Sequence, residues 1–292
     1  MAAVSGALSW WPAPAKLNLF LHVVGRRPDG YHELQTLFQL IDLNDRIGLQ
    51  LRQDGAIVRA IGMPDVAPER DLAVRAAQAL QLHTGTALGA DLHVIKHIPA
   101  AGGLGGGSSD AATVLLALNH LWGTGLSIDA LAQLGLALGA DVPLFVRGAS
   151  AWGEGRGERL QPMRLPPRWY LVIHPGVRVS TGEIFQAPEL TRNSSIITIR
   201  AAAVGQTRND CEPVVRSRYR DVAAALDWLD ARMLAQGADS NARLTGTGAC
   251  IFAGFEREQD AQQIAQQVPA HWSGFVARGL DRSPLHERLG AD

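Results

Sequence analysis

The residues with most to say about chemistry are 99–112, which read Pro-Ala-Ala-Gly-Gly-Leu-Gly-Gly-Gly-Ser-Ser-Asp-Ala-Ala. Between an extended apolar stretch (Leu92, Val94, Ile98) and a helical pattern (Asp110–Trp122) stand Pro99, Ala100, Ala101, Gly102, Gly103, Leu104, Gly105, Gly106, Gly107, Ser108 and Ser109. A loop so rich in glycine lets the backbone approach a ligand and adopt positive φ at little steric cost. The helix behind it supplies unpaired N–H groups and the positive end of its dipole, and Ser108 or Ser109 is expected as its N-cap. Strand, glycine loop and helix start make an anion site, and phosphate is the usual anion. Two familiar phosphate loops do not fit the spacing. Gly102 and Gly107 are separated as in a Walker loop, but Ser108 stands where the lysine must be. The dinucleotide fingerprint Gly-x-Gly-x-x-Gly fails because Gly103 and Gly105 are followed by Ser108.

The charged residues narrow the chemistry further. Of 27 basic residues only two are lysines, Lys16 and Lys96. A lysine gives a compact ammonium whose pKa responds to its surroundings, which a guanidinium cannot do. Asp141 follows a helix end within Leu-Gly-Ala-Asp-Val-Pro, where a carboxylate is held in a turn yet stays reachable. A phosphate loop, an ammonium and a reachable carboxylate are what transfer of a phosphoryl group to an alcohol requires. In that reading Asp141 takes the hydroxyl proton and Lys16 holds or polarises the same group.

The glycine loop resembles the second motif of the GHMP kinases. Pro14-Ala15-Lys16-Leu17-Asn18-Leu19 is similar to that family's first motif, and Leu244-Thr245-Gly246-Thr247-Gly248-Ala249-Cys250 to its third. Three motifs in order across residues 14–250 are far more specific than any one. The segments Gly30–Phe38 and Leu138–Pro143 resemble a branch of the family that serves non-mevalonate isoprenoid synthesis. Its acceptor is a small alcohol bearing a cytidine diphosphate. The resemblance implies a two-domain α+β fold, with an N-terminal α/β nucleotide-binding domain, a ferredoxin-like C-terminal domain and the site between them. It implies ATP with Mg²⁺ as cofactor, and Lys16 and Asp141 as the catalytic pair. The loop from Pro99 to Ser109, with Lys96, would bind ATP. Tyr31 and Phe185 would stack on cytosine while His32 bonds its edge. Asn18 and Thr181 would contact the acceptor, and Thr247 and Gly248 would bring a second tight turn to it. Ala101 stands where the loop often has glycine.

Composition excludes other classes. A net charge of −1 over 292 residues leaves no basic footprint for nucleic acid or acidic membrane. The two cysteines, Cys211 and Cys250, form no Cys-x-x-Cys pair and suit a reduced, cytoplasmic protein, with Cys250 expected as a packing residue. The start MAAVSGALSWWPAPAK lacks the basic region of a signal peptide. His22, His83, His93 and His97 show no metal-ligand spacing, and no acidic cluster marks a metal site. A monomer or weak homodimer is expected.

These groups need a scaffold. Residues 17–24, 36–43, 45–52 and 91–98 read as strands, the first two joined through the turn Arg27-Pro28-Asp29-Gly30. Helices are predicted at 71–83, 110–122 and 128–138, the last capped by Ser127. Residues 150–161 read as a hairpin near a boundary that divides domains 1–160 and 161–292. Beyond it come a strand at 169–174 and a short helix opened by the capping box Ser180/Glu183 and bearing Phe185. A long helix at 213–234, another at 259–268, and strands at 249–253 and 274–279 complete the pattern, with the last strand or tail able to return to the first domain.

Overall fold

A long hairpin opens the chain: β1 (Ser9–Arg26), buried over most of its length, runs antiparallel to β2 (His32–Arg52) across the predicted turn. The computed structural model describes residues 6–203, 207–237 and 241–290. The strands predicted at 36–43 and 45–52 are one element. Asn44 and Asp45 do not break it, because the register slips between Pro14 and Ala15 and the ladder continues past the irregularity. Then come β3 (Ile57–Ile61), α1 (Leu72–Thr84), β4 (Gly89–Ile95), α2 (Gly106–Leu121), α3 (Ile128–Leu136), α4 (Val142–Arg147) and the hairpin β5 (Ala151–Gly155) with β6 (Arg159–Pro162). The second half holds β7 (Trp169–His174), α5 (Thr181–Gln186), α6 (Ile199–Ala203), α7 (Glu212–Arg218), α8 (Arg220–Ala235), β8 (Arg243–Leu244), β9 (Ile251–Phe255), α9 (Glu258–Ala265), β10 (Ser273–Leu280) and α10 (Pro284–Leu289). The helix predicted over 213–234 is two helices, broken where Tyr219 turns extended (φ −123°, ψ 92°).

Helices α1 and α2 cover one face of the first sheet and bury Leu80, Val114, Leu115 and Leu118 against Leu40, Ile47, Leu49 and Leu92. A second core lies in the C-terminal half around Leu171, Ile173, Val215, Leu226, Leu229 and Ile251. A third, smaller cluster is the seam, and it draws from all three motifs: Ala15 and Leu17, Ile98 and Leu104, Cys250 and Phe252. Strand β10 ties the halves, pairing with β7 over residues 273–278 and with β2 through Gly279–Ile41 and Leu280–Leu40. The chain then returns to the first half, where Leu285 of α10 is buried in the first core. The division at 160/161 falls inside β6.

The start of α2 differs from expectation. The helix begins at Gly106 with Gly105 as N-cap (φ +73°), so Ser108 and Ser109 lie within its first turn and neither caps it. The Gly105 carbonyl accepts from Ser109 N–H at 2.9 Å, which leaves the N–H groups of Gly106, Gly107 and Ser108 facing outward from the helix start. Asp141 occupies the N-cap position of α4 but its carboxylate makes no capping bond.

Candidate active site

The three motifs, far apart in sequence, bond to one another through their backbones. Lys16 N–H donates to the Leu104 carbonyl (3.0 Å), Ala249 N–H to Ala101 (3.2 Å) and Cys250 N–H to Gly102 (3.1 Å). Asn18 N–H donates to Thr245 Oγ1 (3.0 Å), whose hydroxyl reaches the Gly103 carbonyl at 3.4 Å. This contact is so close that Gly103 (φ +75°) has no room for a side chain: a Cβ there would overlap the Thr245 carbonyl and lie 3.1 Å from that of Gly248. Ala101, in the same loop, holds φ +54° despite its Cβ.

At this junction opens a cleft of about 690 Å³. It is lined by Lys16, Asn18, Lys96, Pro99–Ser108, Asp141, Thr181, Phe185 and Thr247, which brings most of the predicted site residues into one space. Lys16 is its centre. The residue is 3% exposed, and its ammonium donates to the Gly103 carbonyl (2.8 Å) and to Asn18 Oδ1, with Asp141 Oδ2 at 3.6 Å. Burial pushes the Lys16 ammonium below the ordinary lysine range, and Asp141 opposes that shift. Asn18 is itself fixed, since its Nδ2 donates to Thr36 Oγ1 at 2.8 Å. Thr181 and Thr247 share a hydrogen bond at 2.9 Å, joining α5 to the third motif.

Lys96 is held differently. Its ammonium bonds Asp45 and, at 2.6 Å, Asp110 Oδ2, so it ties the start of α2 to β2. Burial alone would lower this ammonium; the two carboxylates outweigh it and raise it. Burial foremost, and then the nearby Asp45 charge, push Asp110 up to about 8 against the pull of Lys96. Asp45 is further bound by the N–H groups of His97 (2.6 Å) and Ile98 (2.8 Å).

Four predicted residues do not line the cleft. Ser109 is fully buried beneath the loop, and Gly248 turns toward Leu244. Tyr31 is 55% exposed, with the Arg156 guanidinium 4.8 Å from its ring centre, and Arg156 does line the cleft. His32 is buried and stacks on Phe185 with ring centres 5.1 Å apart. Burial, then the charges of Arg192 and Arg26, lower its pKa. Sequence reasoning missed Asp110, Arg156, Arg178, Met63 and Val66 in the lining, and Asp45 and Arg192 outside it. Asp110 had a signal, its place directly after the loop serines. Arg156 had a weaker one in the Gly-Glu-Gly-Arg-Gly hairpin, and Arg192 had none. Cys250 packs in the seam, 0% exposed, its thiol pushed up by burial. The other histidines singled out stay outside the cleft, and no helix among the described residues is long and apolar enough to cross a membrane.

A cleft of this size bordered by a glycine-rich loop and holding an ammonium beside a reachable carboxylate suits a small-molecule kinase. Residues 71–149 match the GHMP kinases N terminal domain, and residues 188–274 the GHMP kinases C terminal domain. The chain belongs to the GHMP kinase family. It is 61% identical over 284 residues to the 4-diphosphocytidyl-2-C-methyl-D-erythritol kinase of Halorhodospira halophila, covering 96% of each chain. With the kinase of the same name from Alkalilimnicola ehrlichii it shares 57% over 285 residues, covering 97% of this chain and 96% of the other. A crystal structure of 4-(cytidine 5'-diphospho)-2C-methyl-D-erythritol kinase superposes with TM-score 0.76 at 34% identity, over 93% of this chain and 99% of that one. Homoserine kinase from Cytophaga hutchinsonii shares the fold at 16% identity (TM-score 0.65), over 97% of this chain and 98% of that one.

Proposed function

We propose that this chain transfers the γ-phosphoryl group of ATP to the tertiary 2-hydroxyl of 4-diphosphocytidyl-2-C-methyl-D-erythritol, giving the 2-phosphate and ADP in non-mevalonate isoprenoid precursor synthesis. The observation that carries this reading is the Lys16 ammonium, poised between the Gly103 carbonyl of the phosphate loop and the Asp141 carboxylate. The relatives at 61% and 57% identity carry the name of that reaction. The outward N–H groups of Gly106, Gly107 and Ser108 receive the triphosphate, and the apolar walls Met63, Val66, Leu72 and Val94 suit the adenine end.

The acceptor lies on the other side of Lys16. Its hydroxyl gives its proton to Asp141 as the oxygen attacks the γ-phosphorus; the new O–P bond forms, the β–γ bridge breaks, and ADP leaves. Lys16 offsets the charge that gathers on the acceptor oxygen and keeps it in line. Phe185, Tyr31 and His32 take the cytosine, while Asn18, Thr181 and Thr247 offer hydrogen bonds to the erythritol end. ATP transfer uses Mg²⁺, and among the described residues no group of three or more His, Cys, Asp or Glu is placed to hold a metal. Mg²⁺ keeps most of its shell as water and phosphate oxygen, so it suits this cleft as the nucleotide's companion, neutralising phosphate charge. We place the protein in the cytoplasm, which its two free cysteines suit, and expect a monomer or weak homodimer.

The test is ATP-dependent phosphorylation of 4-diphosphocytidyl-2-C-methyl-D-erythritol by the native chain and by Asp141→Asn. Loss of the base is expected to lower kcat by ~10²–10⁴. Undiminished turnover in the variant removes Asp141 from its role. ATP binding by the native chain without turnover of this acceptor removes the reaction itself.

A further inference from the structure

We propose that Arg192 is a positioning residue for base recognition: it locks His32 as the Nδ1–H tautomer, so that the imidazole offers a donor to the pyrimidine and favours cytosine over uracil. This rests on the reading that the acceptor carries a cytidine. Nothing in the sequence around Arg192 marks it, and it lies seven residues beyond Phe185.

The argument starts from what a guanidinium can do. It has only donors and stays protonated at any working pH. Arg192 Nε stands 3.1 Å from His32 Nε2, so that ring nitrogen must present a lone pair. A neutral imidazole with a bare Nε2 carries its proton on Nδ1. The rest of the guanidinium is committed: Nη1 donates to the Leu190 carbonyl (3.0 Å), and Nη2 to the carbonyls of Phe185 (3.0 Å) and Ala187 (2.7 Å). The Phe185 and Ala187 carbonyls lie at the C-terminal end of α5, where a cation is favoured by the helix dipole. One side chain therefore ties the backbone of the stacking residue Phe185 to the ring of His32, which lies on Phe185 with 25° between the planes. The cationic neighbour also opposes protonation of His32, which would place a second donor against Nε.

The consequence is a difference between bases. Cytosine has an acceptor at N3 beside its O2, whereas uracil has an N3–H donor. A fixed Nδ1–H matches the first and opposes the second.

Two measurements test this. Imidazole ¹⁵N shifts of the native chain, with His32 assigned by its loss in His32→Gln, should show a protonated Nδ1 and an unprotonated Nε2. Kinetics should compare native chain, Arg192→Met and Arg192→Lys on the cytidine acceptor and its uridine counterpart. In Arg192→Met we expect KM for the cytidine acceptor to rise about tenfold and the preference over uridine to fall about tenfold, with kcat little changed. Arg192→Lys keeps a cation and a donor without the fork and should recover part of the preference. A native His32 protonated at Nε2, or an unchanged preference in folded Arg192→Met, overturns the proposal. If Arg192→Met does not fold, the native ¹⁵N spectrum decides. A native chain that leaves the cytidine acceptor untouched refutes the reaction, and base reading falls with it; the spectrum, which needs no turnover, still reports whether Arg192 holds His32.

Discussion

Replacing Asp110 by Asn should flatten the pH dependence of stability, and the size of the effect follows from the Lys96 cluster. One ammonium serves two carboxylates there, with Asp45 fully buried and Asp110 nearly so. Asp110 Oδ1 is buried with no hydrogen-bond partner, so no donor stabilises charge on that oxygen. In the fold this carboxyl titrates at about 8, chiefly because burial penalises its charge; in the unfolded chain it returns to the ordinary 3.8. Between those values the native state holds a proton that the unfolded state has lost. The stability from the raised pKa is complete below about 4 and disappears as the pH climbs through 8. The slope is about 1.4 kcal/mol per pH unit, flattening near the folded pKa, so pH 6 to 8 spans roughly 2 kcal/mol. Asn keeps the shape and an oxygen for Lys96 but does not titrate. Urea unfolding of both proteins at pH 6, 7 and 8 should then show the native midpoint falling relative to the variant's as pH rises. The lowered pKa values of His22, His32, His174 and His286 belong to both proteins and cancel in the difference. Parallel curves would mean that Asp110 is ionised throughout, with Lys96 able to satisfy both carboxylates.

Three further substitutions probe the junction. Gly103→Ala combines a positive φ, costing an L residue ~1–2 kcal/mol, with overlap on the Thr245 carbonyl; it should lose ~2–3 kcal/mol in a thermal melt and most of kcat, as Lys16 loses its carbonyl. Phe185→Ala removes a stacking face worth ~1–3 kcal/mol, so KM for the cytidine acceptor should rise roughly 10–100-fold while KM for ATP holds. Ala101→Gly relieves the only non-glycine residue at positive φ among the described residues, and urea titration should show a gain of about 0.5–1 kcal/mol.

Local pattern carried the elements well, and chemistry with spacing carried the middle of the site. The glycine loop, Lys16 and Asp141 announce themselves because their roles depend on residue type at a tight turn, and such turns are written in neighbouring residues. The start of α2 was misjudged for a physical reason. Serines usually cap helices, but here Gly105 can take the left-handed conformation, so the helix begins earlier and the glycines supply the free N–H groups. The unbroken β2 was hidden for a similar reason, because Asn44 separates two apolar stretches in sequence and β1 absorbs the irregularity with a register slip. Arg192 and Asp45 could not be found at all. Each acts through a partner more than 50 residues away in sequence, Asp45 on Lys96 and Arg192 on His32, and only the fold supplies that pairing.

The scarcity of lysine is explained by the same geometry. Arginine serves wherever a surface or rim charge suffices, as in Arg156 at the cleft or Arg257 on Asp260. The two lysines sit where a planar fork has no room. A Cβ on Gly105 would come 3.2 Å from Lys16 Cε, and one on Gly106 would come 3.2 Å from Lys96 Nζ. Each lysine is thus threaded against a bare backbone position of the phosphate loop. Their environments then separate them. Lys16 meets a single, partly exposed carboxylate, so burial wins and its ammonium is lowered; Lys96 meets two buried carboxylates, so charge wins and it is raised. The first remains a responsive group beside Asp141, and the second a permanent tie between β2 and α2. The glycines of the loop therefore do two jobs, since the bare backbone that borders the cleft also lets an ammonium pack against it.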